Sequence, residues 1–278
     1  MKEHNVTHYN FYMRLIKKFN IFFTGFAVAA TCGLAGCAGV PAVSSGDMMD
    51  MVGTVAEVPP GQALPERERL VYRVKWMGIT AGEFVVEIKG LTTLRGRRCY
   101  LLEVTARTTG FAASIYRAKS VFRSYFDAEK FYSLRHEEKR EEGGYRKDAV
   151  TDFDHEGGKA YFSNAVDGSK KVFDIPAGVQ DSLTVAYAAR LVPLEPGKVF
   201  LFKTCNSERV YDLYLSVGPR SKVMGQTVLH LVPYGTINGR EYREGRASGY
   251  VTDDARRVPL MFVVKAPVFT SVTARLVE

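Results

Sequence analysis

Three histidines, His136, His155 and His230, follow residue 37 in this 278-residue chain. No two of them stand at the i, i+4 spacing with which a helix presents a zinc pair, and the run from His136 lacks the second histidine of H-E-x-x-H. His230 alternates with apolar neighbours, which indicates a histidine at the edge of a core. His155 precedes Glu156-Gly157-Gly158, which indicates a turn. The sequence therefore predicts no metal site.

Nucleophilic and acid–base chemistry also lacks a local motif. The chain contains no G-x-S-x-G, no G-x-x-x-x-G-K-[ST] and no G-x-G-x-x-G, the patterns that position a serine nucleophile, a phosphate or a dinucleotide. Asp253-Asp254 is a carboxylate pair in sequence, but adjacent strand residues point to opposite faces, so we interpret it as a turn or cap. No catalytic residue and no cofactor is predicted. Two carboxylates that come together only in the folded protein leave no local motif in the sequence.

Two cysteines, Cys99 and Cys205, lie in or beside predicted strands. In an oxidising compartment they could form a disulfide closing a loop of about 106 residues, worth up to about 4.7 kcal/mol in the chain-entropy model. Two separate buried thiols are the alternative. The sequence leaves both open.

A further cysteine, Cys37, follows Leu34-Ala35-Gly36 at the end of an apolar stretch that begins at Ile21. Basic residues precede this stretch, and the order of charge, apolar centre and small residues is typical of a secretory signal. The run resembles the bacterial lipobox, which implies that the Cys37 thiol receives a diacylglyceryl group with fatty acids such as palmitate. A signal cleaved without lipid is an alternative. A membrane-spanning helix fits less well, because about 16 residues fall short of the roughly 20 required.

These features divide the chain into three parts. Residues 1–36 are predicted to be a lipoprotein signal peptide, with Met1 or Met13 as its start. Residues 37–65, rich in Pro, Gly and Ser, are predicted to be the lipidated cysteine and a flexible tether. Residues 66–278 are predicted to be a single β-rich domain. Ala38 after Cys37 resembles lipoproteins of the outer membrane, so we expect an envelope protein facing the periplasm.

Period-two alternation dominates the domain and predicts half-buried, antiparallel strands. Met77-Gly78 is predicted to be a turn, and Asn238-Gly239 fits a two-residue hairpin. The expected fold is mainly β, an antiparallel, strongly curved sheet or open barrel with one main helix. The apolar members of the alternating strands are Tyr72, Val74 and Trp76; Phe84, Val86 and Ile88; Tyr100, Leu102, Val104 and Ala106; and Tyr211, Leu213, Leu215 and Val217, with further strands predicted over Val228 to Tyr234, Val258 to Val264 and Val268 to Leu276.

Two segments depart from this pattern. Gln180 to Leu191 has helical spacing after Asp181, and we expect Leu183 and Tyr187 to face the sheet. Arg135 to Asp154 carries a dense charge run around a Gly-Gly pair, and we interpret it as two exposed strands joined by a solvated turn. Five apolar residues are interpreted as ordinary core: Phe111, Ile115, Phe122, Phe126 and Phe131.

The chain resembles a family of exported bacterial proteins, domain-of-unknown-function family 3108. The resemblance rests on Leu70 to Trp76 followed by Gly78 to Glu83, on Asp181 to Tyr187, on Leu194 to Lys198 and on Thr252 to Pro259. It covers nearly all of residues 66–278. The resemblance implies an envelope location and a β-rich fold, and it supplies no catalytic residue.

Two classes of function fit these observations. The first is a binding module that holds an apolar or lipid ligand between the sheet and the helix, on a membrane tether at Cys37. The second is a structural or interaction protein that docks an envelope protein through the Gly143-Gly144 hairpin or the Arg240 to Arg246 segment. The formal net charge of +8 favours anionic surfaces, but no nucleic acid is expected because the chain has no recognisable reading module.

Overall fold

The computed structural model describes residues 53–206, 209–237, 240–242, 246–266 and 270–278. Within them, the chain forms sixteen strands and two short helices. The elements are β1 (Thr54–Val55), β2 (Glu68–Trp76), β3 (Ile79–Leu94), β4 (Arg97–Thr108), α1 (Gly110–Ile115), β5 (Ala118–Asp127), β6 (Ser133–Glu142), β7 (Tyr145–Asp154), β8 (Lys159–Asn164), β9 (Lys170–Asp174), α2 (Thr184–Leu191), β10 (Val199–Asn206), β11 (Arg209–Val223), β12 (Gln226–Ile237), β13 (Arg240–Tyr242), β14 (Arg246–Thr252), β15 (Pro259–Ala266) and β16 (Thr270–Leu276).

The strands form one long, curved sheet. Its hydrogen-bonded order is β1-β10-β11-β12-β14-β15-β16-β2-β3-β4-β5-β6-β7-β8-β9, with β13 paired to β12 beside this path. Neighbours are antiparallel except β1, which is parallel to β10. Five register shifts, one of them at Gly90 on β3, bend the strands. The predicted mainly β fold, an open barrel of antiparallel strands, is confirmed.

The segment before α2 covers the free edge of β10, where unpaired backbone groups would otherwise face solvent. Gln180 N donates to Lys203 O at 2.8 Å, and Cys205 N donates to Gln180 O at 2.7 Å. On its other side, Ser133 N of β6 donates to Val179 O at 3.2 Å. This short segment therefore ties β10 to the base of β6 across the open side of the barrel.

Two-residue turns with positive φ join several neighbouring strands. Met77-Gly78, Arg95-Gly96 and Met224-Gly225 each have both residues in this region, as type I′ hairpins require. The Met77-Gly78 turn is confirmed. Asn238-Gly239 lies outside the described residues. The register places Met77-Gly78, α1 and Gly143-Gly144 at one end of the barrel, here called the α1 end, and the other two turns at the opposite end.

The predicted helix is confirmed over Thr184–Leu191, and it packs inside the curve of the sheet. Tyr187 and Leu191 of α2 belong to the larger apolar cluster, with Phe202 of β10 and Leu213 of β11. A second cluster contains Tyr72 and Phe84, whose rings stack 4.5 Å apart. Neither helix in the described part of the chain is long and apolar enough to cross a bilayer.

The packed region begins before residue 66, although residues 37–65 were predicted to be a flexible tether. Thr54 and Val55 pair with β10, and Leu64 is buried in the larger cluster, with its carbonyl accepting from Tyr100 Oη at 3.3 Å. Residues 53–65 therefore contact the domain. The predicted signal peptide, Cys37 and the first part of the tether lie outside the described residues.

Candidate ligand cavity

An apolar cavity of about 190 Å³ lies between α2 and the inner face of the sheet. Strands β2, β3, β4, β10, β11, β12, β14 and β15 contribute to its wall, so no single segment of sequence defines it. Side chains that represent this wall are Phe84, Val104, Phe202, Leu213, Leu231 and Phe262.

The volume limits what the cavity can hold. It exceeds the roughly 150 Å³ of an engineered cavity that takes up benzene, and it is smaller than the roughly 300 Å³ at which drug-sized pockets begin. A bulky ring system does not fit such a space. A slender apolar chain fits, provided that its length extends along the cavity towards an opening.

Asp181 sets the position of α2. Its Oδ1 accepts hydrogen bonds from Leu183 N at 2.7 Å and Thr184 N at 3.0 Å, which satisfies two of the free donors at the helix start. The predicted role of Asp181 at a helix N-terminus is thereby confirmed. Tyr187 and Arg190, three residues apart, share one face of this helix and line the cavity.

Arg190 is fully engaged by a buried ion pair with Glu68 of β2. Its Nη1 and Nη2 donate to the two carboxylate oxygens at 2.6 and 2.8 Å, and Nη2 also donates to Arg256 O at 3.0 Å. This bidentate arrangement neutralises both charges and fixes the guanidinium plane. The pair therefore ties α2 to β2 and adds no net charge to the cavity.

Tyr187 carries a hydroxyl without a partner among the described residues, although the side chain is only 4% exposed. Its ring lies under the Arg190 guanidinium, 5.2 Å from centroid to Cζ. Tyr72, on the facing wall, donates from its hydroxyl to Pro259 O at 2.7 Å. Burial raises the pKa of both phenols, so both are protonated. Tyr187 thus lines a largely apolar cavity and carries a buried donor that has no partner among the described residues.

Two strands of the sheet, β12 and β14, separate beside the cavity. β12 pairs with β14 only from Val228 to Leu231, where Leu231 faces Gly249. The next inward residue of β12 is Pro233, which has no N–H to donate. Pro233 on one strand and Ala247 and Ser248 on the other line the cavity. β13 takes over the same edge of β12 from Gly235 to Ile237, so the opening next to the cavity is limited to the gap at Pro233, where β12 pairs with neither β14 nor β13.

A polar cluster of serine, histidine and aspartate lies behind the helix start. Ser124 Oγ lies 2.9 Å from His136 Nδ1 and donates to Asp181 Oδ1 at 2.9 Å. In a hydrolase triad the carboxylate orients the histidine and the histidine faces the serine. Here carboxylate and imidazole both meet one buried hydroxyl. Asp181 Oδ1 also lies 3.6 Å from His136 Nδ1. Because Ser124 donates its proton to Asp181 and not to His136, these hydrogen bonds anchor α2 to β5 and β6.

The charged strand β6 differs from its prediction. The two strands and their turn are present, but every second side chain is buried, including Glu138, Arg140 and Glu142. Arg140 contacts Glu142 at 2.6 Å and Glu138 at 3.2 Å, and Lys147 of β7 contacts Glu138 at 2.7 Å. The expectation of a fully exposed hairpin was wrong, because ion pairs within β6 and across to β7 let the inner face of β6 be charged.

The two cysteines of the domain are free and buried. Cys99 lies on β4 and Cys205 on β10, strands that are not neighbours in the sheet. Burial raises the pKa of Cys99 to about 11 and that of Cys205 to about 12. Of the two alternatives left by the sequence, the structure contains separate thiols.

The remaining candidate site residues, His155, His230 and Asp254, make contacts that stabilise the fold. His155 stacks on Tyr132 at 3.7 Å, and His230 stacks on Tyr250 at 4.7 Å. Asp254 Oδ1 accepts from Arg256 N and Arg257 N at 3.0 and 2.9 Å, which is the predicted turn. No group of three or more potential metal ligands occurs among the described residues.

Three of the five aromatic and aliphatic residues interpreted as core are buried, namely Phe122, Phe126 and Phe131. Phe111 and Ile115 are exposed, so that interpretation was wrong for them.

Glu68, the ion-pair partner of Arg190, was not predicted from the sequence. The two are 122 residues apart, and no local pattern connects them.

The open barrel of antiparallel strands with an internal helix is a β-barrel-like fold. A solved structure from Brucella abortus, a beta-barrel-like protein of domain of unknown function DUF1849, is similar with a TM-score of 0.53 and 13% identity, covering 78% of this chain and 98% of that chain. The family model for "Protein of unknown function (DUF3108)" matches residues 71–277, and the chain belongs to that family. None of the curated proteins matches this chain.

Proposed function

We propose that this protein is a lipid-anchored protein of the cell envelope that binds an apolar or lipid ligand in the cavity beside α2. The observation that carries the proposal is a largely apolar cavity lined by Tyr187, a residue whose buried hydroxyl has no partner among the described residues. Lipid attachment at Cys37 and a location at the outer membrane, facing the periplasm, are part of the same proposal and rest on the sequence.

The unpaired hydroxyl of Tyr187 favours a ligand that carries one hydrogen-bond acceptor. A buried donor without a partner costs about 1–3 kcal/mol. A ligand oxygen that accepts from Tyr187 would recover this cost, while the apolar part of the ligand would pack against the apolar side chains of the wall. Binding would thus draw on both hydrophobic contact and one directed hydrogen bond.

The nearby charges favour an uncharged oxygen in that position. A ligand carboxylate beside Tyr187 would meet the Glu68 carboxylate, while the guanidinium of Arg190 already donates to Glu68 and Arg256. An ester or amide carbonyl avoids this repulsion and still accepts from the phenol. We therefore infer an acyl chain joined to a neutral carbonyl group as the ligand class.

Native mass spectrometry tests this proposal directly. Residues 53–278, exported to the periplasm and purified without detergent, should carry an added mass of lipid size that is lost on denaturation. A bare mass, together with no uptake from added vesicles, would reject ligand binding. It would favour the alternative of an envelope protein that docks a protein partner.

Tyr187→Phe tests the polar anchor. Removing the hydroxyl keeps the ring and the cavity, so affinity for an acyl ester should fall by about 0.5–1.5 kcal/mol, the net value of one hydrogen bond. Tyr161→Phe is the matched control, because that tyrosine lies on β8, is 47% exposed and does not line the cavity. Calorimetric titration with a short-chain monoacylglycerol measures both. Equal affinities for wild type and Tyr187→Phe would remove Tyr187 from the site.

A further inference from the structure

The α1 end of the barrel exposes four large apolar side chains that neither the core nor the cavity uses. Their exposed fractions are 75% for Phe111, 67% for Ile79, 62% for Met77 and 54% for Ile115. Single exposed apolar residues are ordinary on protein surfaces, whereas a group at one place marks an interaction site.

These side chains come from two adjacent projections. Met77 lies in the turn between β2 and β3 and Ile79 begins β3, while Phe111 and Ile115 belong to α1, which has no buried residue. α1 packs beside β3, and Thr109 N, just before the helix, donates to Ala81 O at 3.1 Å. The backbone therefore holds turn and helix side by side.

Unpaired cations surround this apolar group. Lys75 precedes the turn, and Arg117 and Lys119 follow α1; all three are exposed. Within the described part of the chain, none of the three has a carboxylate within 4.0 Å. The exposed carboxylates of the neighbouring strands are already paired, Glu83 with Arg107 at 2.6 Å and Glu141 with Arg146 at 3.2 Å. The end therefore carries a positive excess around an apolar centre.

We propose that the α1 end docks on an anionic lipid bilayer. Met77, Ile79, Phe111 and Ile115 enter the interface between headgroups and acyl chains, and Lys75, Arg117 and Lys119 lie against anionic headgroups. A water-exposed apolar centre with unpaired cations around it is complementary to such a surface. This surface goes beyond the cavity function and does not depend on it, although the parting of β12 and β14 lies towards the same end.

Trp76 makes the proposal measurable, because it is the single tryptophan of the chain and precedes Met77. The full-length chain is mixed with vesicles of phosphatidylcholine that contain or lack phosphatidylglycerol. Trp76 is half-buried against the apolar cluster that contains Tyr72 and Phe84, so the readout is contact quenching: we expect its emission to be quenched by brominated phosphatidylcholine when phosphatidylglycerol is present. Unchanged emission with both kinds of vesicle would overturn the proposal.

Two sets of variants separate this contact from attachment through other parts of the chain. Phe111→Ser together with Ile115→Ser should abolish the quenching, and Arg117→Gln or Lys119→Gln should weaken vesicle binding roughly fivefold per cation removed. Trp76→Phe with Met224→Trp moves the probe to the opposite end and should show no quenching. Equal quenching at residue 224, or undiminished quenching in the serine variant, would contradict docking through the α1 end. Unchanged thermal unfolding confirms that each variant is folded.

Discussion

Two polar side chains of α2, Arg190 and Tyr187, are both buried, but they differ in whether a partner within the protein compensates the polar group. Arg190 is compensated by Glu68 and by a backbone carbonyl, so its cost of desolvation is offset within the protein. The hydroxyl of Tyr187, one helical turn away, has no such partner among the described residues. Because a hydroxyl is cheaper to bury unpaired than a charge, Tyr187 is the residue that can be reserved for a ligand.

The thiols of Cys99 and Cys205 give a second test at the residue scale. Burial raises the pKa of these thiols to about 11 and about 12, so almost no thiolate is present at pH 8. We expect native residues 53–278 to resist alkylation by iodoacetamide at that pH, since the thiolate is the reactive form. After unfolding without reductant, two thiols per chain should react, as counted by mass spectrometry.

Ser114→Cys provides the control for accessibility, because Ser114 is exposed on α1. Its thiol should react in the native protein. If the unfolded, unreduced wild type showed no reactive thiol, Cys99 and Cys205 would be joined by a disulfide and the structure would be wrong at this point.

At the scale of elements, β6 shows that alternation can place charges on the inner face of a sheet. Glu138 is held by Lys147 and Arg140. Burial is the largest single influence and alone would raise the pKa of this carboxyl, but the combined attraction of Lys147, Arg140 and His136, with the Lys147 hydrogen bond, lowers the pKa. A carboxyl with a lowered pKa in the folded state stabilises the protein above its unfolded pKa of about 4.3 and loses that contribution as the pH falls.

Glu138→Gln tests this role. It leaves Lys147 and Arg140 buried with less compensation, so we expect the free energy of unfolding at pH 7 to fall by about 3–5 kcal/mol. Below about pH 4 the difference from wild type should narrow, because the wild-type carboxyl then becomes protonated. Denaturant titrations at several pH values measure both effects.

Glu141→Gln is the matched control on the same strand. Glu141 points outwards and pairs with Arg146, with both side chains more than half exposed, so its replacement should cost less than about 1 kcal/mol. Similar losses for the two variants would show that the inner face of β6 is accessible to water.

Some elements of the fold could be predicted from the sequence and others could not, and the difference has a physical reason. Alternation located β2, β3 and β4, and the spacing after Asp181 located α2, because both depend on neighbours in sequence. The burial of β6 depends on cross-strand partners such as Lys147, and the exposure of Phe111 depends on what lies beyond the α1 end. The cavity combines side chains from eight strands, so the sequence indicated a sheet with a helix across it but not the unpaired Tyr187 or its distant neighbour Glu68.

At the scale of the whole molecule, the barrel has a single continuous sheet whose order brings the two halves of the chain together. β2 follows β16, so the first long strand pairs with the last. The cavity lies where strands from both halves meet α2, and the opening lies where β12 leaves β14. Access to the interior is thus a property of strand pairing and not of a loop.

Narrowing this opening should slow the entry of a ligand. Ala247→Trp places a large ring where β14 faces the end of β12, whereas Thr227→Trp adds the same ring at an exposed position on the far end of β12. Because Ala247 lines the cavity at this opening, Ala247→Trp should slow ligand entry about tenfold for each 1.4 kcal/mol added to the barrier. Stopped-flow fluorescence with an acyl-chain probe measures the entry rate. A rate equal to those of Thr227→Trp and wild type would place the entrance elsewhere, for example along the segment that joins β10 to β6.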